Sequence, residues 1–238
     1  MGQHEKVTDI LMQTVVGLGQ AGCNIADALS IYSEYEILKI DAADGQKDKK
    51  VKNAFYVKKQ DHPEKYEAAK NPRLGAFFKD IKEETLFITS CGAISGMALR
   101  TLEHIKKKSE IIVMYIMPDP VNLTEIQKLQ NNLVFNVLQE YTRSGVFKQM
   151  ILVDNTRLAQ TIGQVSILKY WESINNMIAS THHMINVFEH SRPVFTTFSN
   201  KINTAKITSF GLASWDLEKN EENMFFSLDF PREKRYYY

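Results

Sequence analysis

The sequence has 238 residues, of which 44% are hydrophobic and 24% charged, a composition typical of a globular protein rather than a disordered or membrane-embedded one. Lysine and arginine (29) nearly balance aspartate and glutamate (28), so the net charge of +1 gives no long-range attraction for nucleic acid or an anionic membrane. Two cysteines do not make a disulfide framework, and no apolar run has the length of a bilayer span. We therefore expect a one-domain protein of the reducing cytoplasm that makes no direct contact with nucleic acid.

Short apolar segments alternate along the chain with longer amphipathic ones. The short segments, rich in Val, Ile and Phe, predict six strands at Met12–Val16, Glu36–Ile40, Ala54–Val57, Thr85–Ser90, Ile111–Met117 and Gln149–Val153. The amphipathic segments predict helices at Gly22–Ser33, Asn71–Lys82, Ser95–Lys107 and Thr124–Thr142, then one long central helix, Ile162–Phe188. Strands that are apolar on both faces and alternate with helices are typical of an α/β fold with a doubly wound, mostly parallel sheet.

Two of these helical patterns have a clear apolar period. The central helix has one apolar stripe, formed by Ile162, Val165, Leu168, Trp171, Ile174, Ile178, Ile185 and Phe188. Within Thr124–Thr142, the apolar residues recur near the helical repeat, which is typical of a helix with one apolar face. These residues are Ile126, Leu129, Leu133, Val137 and Tyr141. After the central helix, extended segments are predicted at Val194–Phe198, Lys206–Ser214 and Asn223–Phe230.

A glycine-rich loop, Gly17-Leu18-Gly19-Gln20-Ala21-Gly22, joins the first strand to its helix. The free amides and the dipole at a helix amino end favour a phosphate in this position. Asp41 follows about twenty residues later, where an NAD-binding unit places its ribose-binding acid. The loop alone therefore fits nucleotide binding, an NAD-dependent oxidoreductase that uses Gly17, Gly19, Gly22 and Asp41, or a turn that needs small residues for packing.

A second loop, from Ser90 to Ala98, follows the fourth predicted strand and also opens a helix. Its sequence is Ser90-Cys91-Gly92-Ala93-Ile94-Ser95-Gly96-Met97-Ala98. Because a dinucleotide-binding unit normally needs only the first loop, a second loop favours a nucleoside diphosphate or triphosphate. The alternative is again a tight strand-to-helix turn.

Several motifs resemble those of FtsZ and tubulin, and they follow in that family's order. The first loop continues as Gly22-Cys23-Asn24-Ile25, which is similar to the opening phosphate loop of the family, where an Asn just after the glycines reaches the guanine. The second loop is similar to the family's glycine-rich signature, with Ser95 and Gly96 kept but Ala93, Ile94 and Met97 where Gly, Thr or small residues are usual. Further similar segments are Ala69-Lys70-Asn71-Pro72-Arg73-Leu74-Gly75, Met117-Pro118-Asp119-Pro120 and Asp154-Asn155-Thr156-Arg157-Leu158.

The resemblance implies a site for GTP or GDP. Around the base it places Asn24, Asn155, Trp171 and Asn175, an aromatic ring that stacks and amides that donate and accept hydrogen bonds together. Around the phosphates it places Gly17, Gly19, Gln20, Ala21, Gly22, Lys70, Asn71, Cys91, Gly92, Ala93, Ser95 and Gly96. Glu125 and Lys128 are candidates for the ribose. The metal site is unknown, with Mg²⁺ as the candidate ion and Asp41 and Asp44 as candidate ligands.

The sequence departs from the family in two places. Acidic residues that polarise the attacking water follow the family's central helix, whereas residues 190–200 here contain no Asp or Glu and Glu189 lies before them. Only about forty residues follow this loop, so the family's second domain is truncated. We interpret residues 1–190 as a Rossmann-like tubulin/FtsZ GTPase domain with its central helix, and residues 191–238 as a short extension with a few strands.

The expected function is therefore guanine-nucleotide binding by a divergent, reduced FtsZ-like protein, of the kind that a phage or plasmid relative would represent. It would associate with itself or with another tubulin/FtsZ-like protein, or act as a scaffold, with weak or absent GTP hydrolysis and no catalytic residue assigned. Alternatives are an active polymerising GTPase, the oxidoreductase, and a degenerate interaction module, which Ile94 and Met97 support. His182, His183 and His190 lack a completing acid or thiol, which favours surface residues over a metal site.

Overall fold

A computed structural model of the chain describes residues 12–43, 53–162, 166–190, 205–212 and 223–227. In this part of the chain, seven strands form one parallel sheet: β1 (Gln13–Leu18), β2 (Tyr35–Ala43), β3 (Ala54–Lys58), β4 (Glu84–Thr89), β5 (Glu110–Met117), β6 (Gln149–Asp154) and β7 (Ile207–Thr208). The strand order is β3-β2-β1-β4-β5-β6-β7. The six predicted strands and the doubly wound α/β architecture are confirmed.

Helices cover both faces of the sheet. They are α1 (Gly19–Leu29), α2 (Pro63–Ala68), α3 (Leu74–Phe77), α4 (Ala98–Lys106), α5 (Glu125–Arg143), α6 (Asn155–Ile162) and α7 (Tyr170–His190). Short 3-10 turns lie at Ala93–Met97, Pro120–Asn122 and Ile167–Lys169. No helix in the described part of the chain is both long and apolar enough to cross a membrane.

The strands are apolar on both faces because each face of the sheet has its own core. Val16 and Phe87 pack with Leu102 of α4 and Leu138 of α5 on one face. On the other face, neighbouring strand residues pack against α1, α6 and α7, whose buried members include Ile25, Leu29, Leu158, Ile174 and Ile178. Alternate strand residues point to opposite faces, so this double coverage explains the near-continuous apolar runs of β1 and β4.

The predicted helix Asn71–Lys82 is wrong. Only Leu74–Phe77 is helical, and the chain leaves helical geometry at Phe78. Leu74 and Phe78 are fully buried in the same core cluster, where Phe77 and Ile81 also pack. The helical spacing of these apolar residues therefore comes from a single turn and the loop after it, both held by tertiary packing.

The predicted central helix begins at the wrong residue. α6 starts at Asn155, where the Asp154 carboxylate accepts a hydrogen bond from the Thr156 amide at 2.8 Å. The long helix α7 begins only at Tyr170, and Leu168, which the apolar pattern assigned to its stripe, is 94% exposed. At the start of the predicted helix, α6 ends at Ile162 and a 3-10 turn at Ile167–Lys169 precedes α7, while residues 163–165 lie outside the described part of the chain.

Helix α5 has the predicted bounds to within one residue, but its most regular apolar stripe does not face the core. Ile126, Leu129 and Leu133 are 75%, 71% and 65% exposed. The buried face consists instead of Leu138 and Thr142, with Val134 and Phe135 partly buried beside them. The helix therefore has two apolar faces, and the sheet covers only one.

The described C-terminal residues extend the main sheet. β7 pairs with β6 in parallel, and the Asp154 amide donates a hydrogen bond to the Phe225 carbonyl at 2.6 Å. An antiparallel bridge joins Gly211 to Met224, which places parts of the predicted segments Lys206–Ser214 and Asn223–Phe230 beside β6. The predicted strand Val194–Phe198 lies outside the described residues.

Candidate functional site

The two glycine loops meet where the strand order reverses. β1 lies between β2 and β4, and successive strands from there add in opposite directions across the sheet. In open parallel α/β sheets, ligands bind outside the carboxyl ends of the strands at this switch point. The loop after β1 and the loop after β4 both begin at this edge, so the fold brings together the two segments for which phosphate binding is predicted.

The first loop is built by close packing of glycines. Gly19 has a φ of 73°, in the left-handed region that other residues rarely adopt. A Cβ on Gly17 would lie 2.5 Å from the Gly22 carbonyl oxygen, and a Cβ on Gly22 would lie 2.4 Å from the Ile88 carbonyl oxygen. Gly17 and Gly22 therefore allow α1 to approach β1 and β4, which is a structural role. Gln20 and Ala21, the other members of the loop, lie in the first turn of α1, exposed and half-buried respectively.

The amino end of α1 has free amide groups. Leu18 precedes the helix and makes no side-chain cap, and its first turn contains no acidic residue. Such an end carries unsatisfied N–H donors and a partial positive charge. It is therefore electrostatically suited to an anion such as a phosphate group.

The second loop forms a 3-10 turn that is held from two sides. A Cβ on Gly96 would lie 2.0 Å from the Pro63 carbonyl oxygen, so this glycine allows α2 to pack against the turn. Gln130 of α5 donates hydrogen bonds to the carbonyls of Cys91 at 2.8 Å and Gly92 at 3.2 Å. Gly92 is exposed and faces open space. Sequence analysis missed Gln130, whose role depends on a contact across 39 positions of the chain.

An apolar side chain separates the two loops. Ile94 is 8% exposed, and its Cγ2 atom would lie 2.8 Å from a Cβ on Gly19. Beside it, Ala93 is half-buried and Ser95 is 4% exposed. A phosphate group between the loops would therefore meet a hydrocarbon surface on one side, where it would find no hydrogen-bond donor.

Lys70 lies in a loop that is tied to α4. Arg100 donates a hydrogen bond to the Ala69 carbonyl at 2.6 Å, and the Asn71 side chain donates one to the same oxygen at 3.4 Å. Lys70 itself is exposed. Arg100, which sequence analysis missed, therefore positions the segment that carries the predicted phosphate-binding lysine.

The predicted base-binding residues lie on α1, α6 and α7. Asn24 is exposed on α1, Asn155 is the half-buried first residue of α6, and Asn175 is half-buried on α7. Neighbouring residues of these three helices pack in one core cluster. Trp171 is 59% exposed, one turn before Asn175 on the same helix, so its ring has a free surface.

Thr156 adds a polar group to this region that sequence analysis missed. Its Oγ1 atom is buried and has no hydrogen-bond partner in the described part of the chain. A buried hydroxyl normally has a partner, because leaving it unpaired costs about 1–3 kcal/mol. Its position beside Asn155 makes it a candidate contact for a ligand that reaches the start of α6.

Asp41 lies near the carboxyl end of β2 and accepts a hydrogen bond from the Ala42 amide at 2.8 Å. Cys23 donates weak hydrogen bonds to the carbonyls of Gly17 and Ile40, which tie α1 to β1 and β2. Burial, with a further contribution from the charge of Asp41, raises the pKa of Cys23 to about 12, so this thiol is an unreactive packing group. Asp44 lies outside the described residues.

The described residues contain no cluster of three or more His, Cys, Asp or Glu side chains that could hold a metal ion. The two candidates for the ribose, Glu125 and Lys128, form an exposed ion pair with each other at 2.7 Å on the first turn of α5. That helix begins with a capping box between Thr124 and Gln127. Glu125 and Lys128 therefore have a structural partner that is independent of any nucleotide.

The prediction that the histidines lie on the surface is wrong for His182. This side chain is 4% exposed, because α7 packs against α1 and the sheet, and its Nε2 atom lies 3.5 Å from Gln13 Oε1. Burial, with the nearby His183 and His190, lowers the pKa of His182 from 6.5 to about 4. A cavity also lies at the amino ends of the strands, away from the glycine loops, and is lined by Tyr35, Glu36, Asn53 and Lys82. The histidines lie at this same end of the sheet.

The segment that would carry the family's catalytic acids starts at the end of α7. Glu189 is exposed in the last turn of that helix. Residues 191–200 lie outside the described part of the chain. The prediction that hydrolysis is weak therefore rests on their sequence, which contains no acidic residue.

Comparison with solved structures identifies the fold. The chain is similar to CetZ2 from Haloferax volcanii in a GTPgS-bound protofilament, with 17% identity, a TM-score of 0.60 and coverage of 84% of this chain and 65% of that one. It is also similar to an empty FtsZ dimer from M. jannaschii, with 13% identity, a TM-score of 0.59 and coverage of 92% and 62%. No protein-family model and no curated protein sequence matches the chain.

The protein therefore has a divergent tubulin/FtsZ-like fold. The chain spans less than two thirds of the length of these two solved chains. At 17% and 13% identity the likeness concerns the fold, so nucleotide binding and assembly have to be argued from the residues of this chain.

Proposed function

We propose that the chain binds GTP or GDP at the carboxyl edge of the sheet, and that it serves in self-association or as a scaffold rather than in rapid hydrolysis. The observation that supports this most strongly is the position of the two glycine loops, on adjacent strands at the switch point, beside the uncapped amino end of α1. CetZ2, whose fold is similar, has GTPgS bound in its protofilament.

The phosphates would lie against the first turn of α1. The amides of Gln20 and Ala21 would donate hydrogen bonds there, and Gly19 would supply the left-handed turn that directs them. On the far side, Gly92 leaves open space, and Lys70 would add a positive charge from the loop that Arg100 positions. Ile94 limits the space between the loops, so we expect GDP to bind at least as well as GTP.

The base would lie between α1 and α7. Trp171 offers an exposed ring for stacking, and Asn175 one turn later would read the guanine edge with its amide. Asn24 and Asn155 would approach from α1 and α6, and the unpaired hydroxyl of Thr156 would gain a hydrogen-bond partner. Mg²⁺ would supply charge neutralisation for the phosphates when bound, with Asp41, near the carboxyl end of β2, as the candidate ligand among the described residues.

A fluorescence titration tests the proposal. Nucleotide-stripped protein is titrated with GTP, GDP, ATP and NADH while tryptophan emission is followed. We expect GTP and GDP to change the emission, and Asn175→Ala to weaken that binding by about tenfold or more, the effect of a lost hydrogen bond in a site built for it. Asn176→Ala is the matched control, since this neighbouring residue is exposed on another side of α7.

The sequence contains a second tryptophan, Trp215, so the change in emission has to be assigned to one of the two tryptophans. In Trp171→Phe, the nucleotide-dependent change in emission should disappear, while binding measured by calorimetry persists at reduced affinity. Selective binding of NADH would instead favour the oxidoreductase with Asp41 as the ribose ligand. Equal binding of ATP and GTP would contradict the guanine-specific roles given to Asn24, Asn155 and Asn175.

A second candidate function, an interaction module that binds no nucleotide, is favoured by Ile94. This buried side chain packs against Gly19 at the point where a phosphate would otherwise find room. If the titration shows no response to any nucleotide and calorimetry agrees, the interaction module replaces the nucleotide-binding proposal.

A further inference from the structure

The side chain of Gln130 in α5 reaches the second glycine loop. Its Nε2 atom donates hydrogen bonds to the Cys91 carbonyl at 2.8 Å and to the Gly92 carbonyl at 3.2 Å, and it lies 3.5 Å from Ser95 Oγ. Carbonyl oxygens only accept hydrogen bonds, so the amide nitrogen of Gln130, and not its amide oxygen, has to face the loop. One side chain therefore holds two consecutive peptide groups of the loop.

The position of Gln130 is fixed by the residue that follows it. Asn131 is 8% exposed, and its Oδ1 atom accepts a hydrogen bond at 2.9 Å from the hydroxyl of Tyr115, a fully buried residue of β5. This buried contact sets the rotation of α5 against the sheet. At the start of the loop, the Ser90 hydroxyl donates a hydrogen bond to the Ile116 carbonyl of β5 at 2.7 Å. Gln130 and the loop that it contacts are therefore both anchored to the same strand.

Peptide geometry determines where the amide groups of this loop point. In a trans peptide group the C=O and N–H bonds point in opposite directions, and the described residues contain no cis peptide bond. The carbonyls of Cys91 and Gly92 point towards Gln130. The amides in the same two peptide groups, those of Gly92 and Ala93, therefore point away from α5. Neither amide donates a hydrogen bond to another group in the described part of the chain.

The amides of the second loop point towards the side of the sheet on which α1 lies. Helix α5 packs on one face of the sheet through Leu138, whereas α1 packs on the opposite face through Ile25. The two glycine loops are close together, since a Cβ on Gly19 would lie 2.8 Å from Ile94 Cγ2. A Cβ on Gly92 would have no atom within 4 Å. The Gly92 amide and the uncapped amino end of α1 therefore border the same open space.

We propose that Gln130 is a positioning residue of the phosphate site. It holds two carbonyls of the second loop on the α5 side, so that the amides of Gly92 and Ala93 are already directed at a phosphate before it binds. The role rests on the proposed binding of a nucleotide, and it places the control of phosphate affinity on a helix that does not itself contact the phosphate. Without Gln130, the two peptide groups would have to be ordered when the ligand binds, and this ordering lowers affinity.

Calorimetry of the full chain with guanosine, GDP and GTP tests this role. Gln130→Met keeps the length of the side chain but removes its donor, so the affinities for GDP and GTP should fall by about tenfold while the affinity for guanosine stays unchanged. Gln139→Met is the matched control, because Gln139 is also partly exposed and lies near the carboxyl end of the same helix. This variant should bind all three ligands as the parent does. An equal loss for the three ligands in Gln130→Met, or no loss for GDP and GTP, overturns the proposal.

Inorganic pyrophosphate separates the role of Gln130 from recognition of the base. In NMR spectra of the full chain, pyrophosphate should shift the amide resonances of Gly92 and Ala93, and Gln130→Met should weaken its binding by about tenfold. If pyrophosphate does so but no guanine nucleotide binds, the proposed function fails and the positioning role of Gln130 stands. If GTP and GDP bind equally well to the parent and to Gln130→Met, the proposed function stands and the positioning role fails. Amides of Gly92 and Ala93 that shift with neither pyrophosphate nor GDP also overturn the positioning role.

Discussion

Ile94 is the residue that most directly decides how much space the phosphates have. It is 8% exposed and lies against Gly19, so Ile94→Ala opens the gap between the glycine loops. We expect the affinity for GTP to rise about tenfold by calorimetry, and more than the affinity for GDP. The free energy of unfolding should fall by about 2–4 kcal/mol through the cavity left behind. Met97→Ala, a buried neighbour in the same turn, should lose stability without gaining affinity.

His182 makes stability depend on acid pH. Burial lowers its pKa from 6.5 to about 4, so below pH 6.5 the unfolded chain takes up a proton that the folded chain refuses. The contribution of His182 to the free energy of unfolding is therefore fully present above pH 6.5. It falls by about 3 kcal/mol as the pH falls towards 4. Measured by urea unfolding across this pH range, the free energy of unfolding should fall less steeply with acid in His182→Gln than in the parent. The exposed His62→Gln should keep the parent's pH dependence.

At the scale of elements, an ion pair between the buried Glu84 and the partly exposed Lys148 links strand β4 to the start of β6. Glu84 is 3% exposed, receives a hydrogen bond from Gln13 at 2.7 Å and forms an ion pair with Lys148 just before β6. Burial lowers the pKa of Lys148, but the hydrogen bond and charge of Glu84 outweigh this and raise it overall. Lys148→Met should therefore lower the free energy of unfolding by about 2 kcal/mol, since it leaves a buried carboxylate without its cation.

A double-mutant cycle measured by urea unfolding checks this pair. Glu84→Gln with Lys148→Met should recover most of the stability lost in Lys148→Met, because no unpaired charge remains. As a control, Lys128→Met removes the cation from an exposed ion pair with Glu125. This change should lower the free energy of unfolding by less than about 1 kcal/mol. Equal losses at the two lysines would show that Glu84 does not depend on Lys148.

Elements whose pattern reflects local geometry could be predicted from the sequence. The strands β1 and β4 are buried on both faces, so their apolar runs were a reliable signal. For α5 the period correctly predicted a helix, but Ile126 and Leu129 are exposed because periodicity cannot say which of two apolar faces the sheet will cover. Likewise, Leu74 and Phe78 have helical spacing, although only tertiary packing brings them into the core.

The same limit applies to the candidate site. The glycine loops could be located from the sequence because a strand, a tight turn and a helix are consecutive in the chain. Gln130 and Arg100 could not, since each holds a loop through a contact 39 or 31 positions away. The unpaired hydroxyl of Thr156 is also invisible in the sequence, because burial of a single polar atom depends on the packing around it. Assignment of ligand roles to all these residues stays a prediction.

For the whole molecule, the strand order shows where the described C-terminal residues lie. β7 and the bridge between Gly211 and Met224 close the edge beside β6, so the described C-terminal residues support the main sheet. The chain spans 65% and 62% of the two solved chains with a similar fold.

GTP hydrolysis needs a carboxylate that polarises the attacking water. Because residues 190–200 contain no Asp or Glu, contact between copies brings no carboxylate from this segment to polarise water at a neighbour's nucleotide. Phosphate release per protein from saturating GTP should therefore be near zero and stay flat as protein concentration rises through the range in which the chain associates. Asn175→Ala identifies contaminating activity, since turnover that persists in it does not come from the proposed site. A rate that climbs with concentration in the parent and falls in Asn175→Ala would show that acids elsewhere in the chain complete the site, and the protein would then be an assembly-activated GTPase.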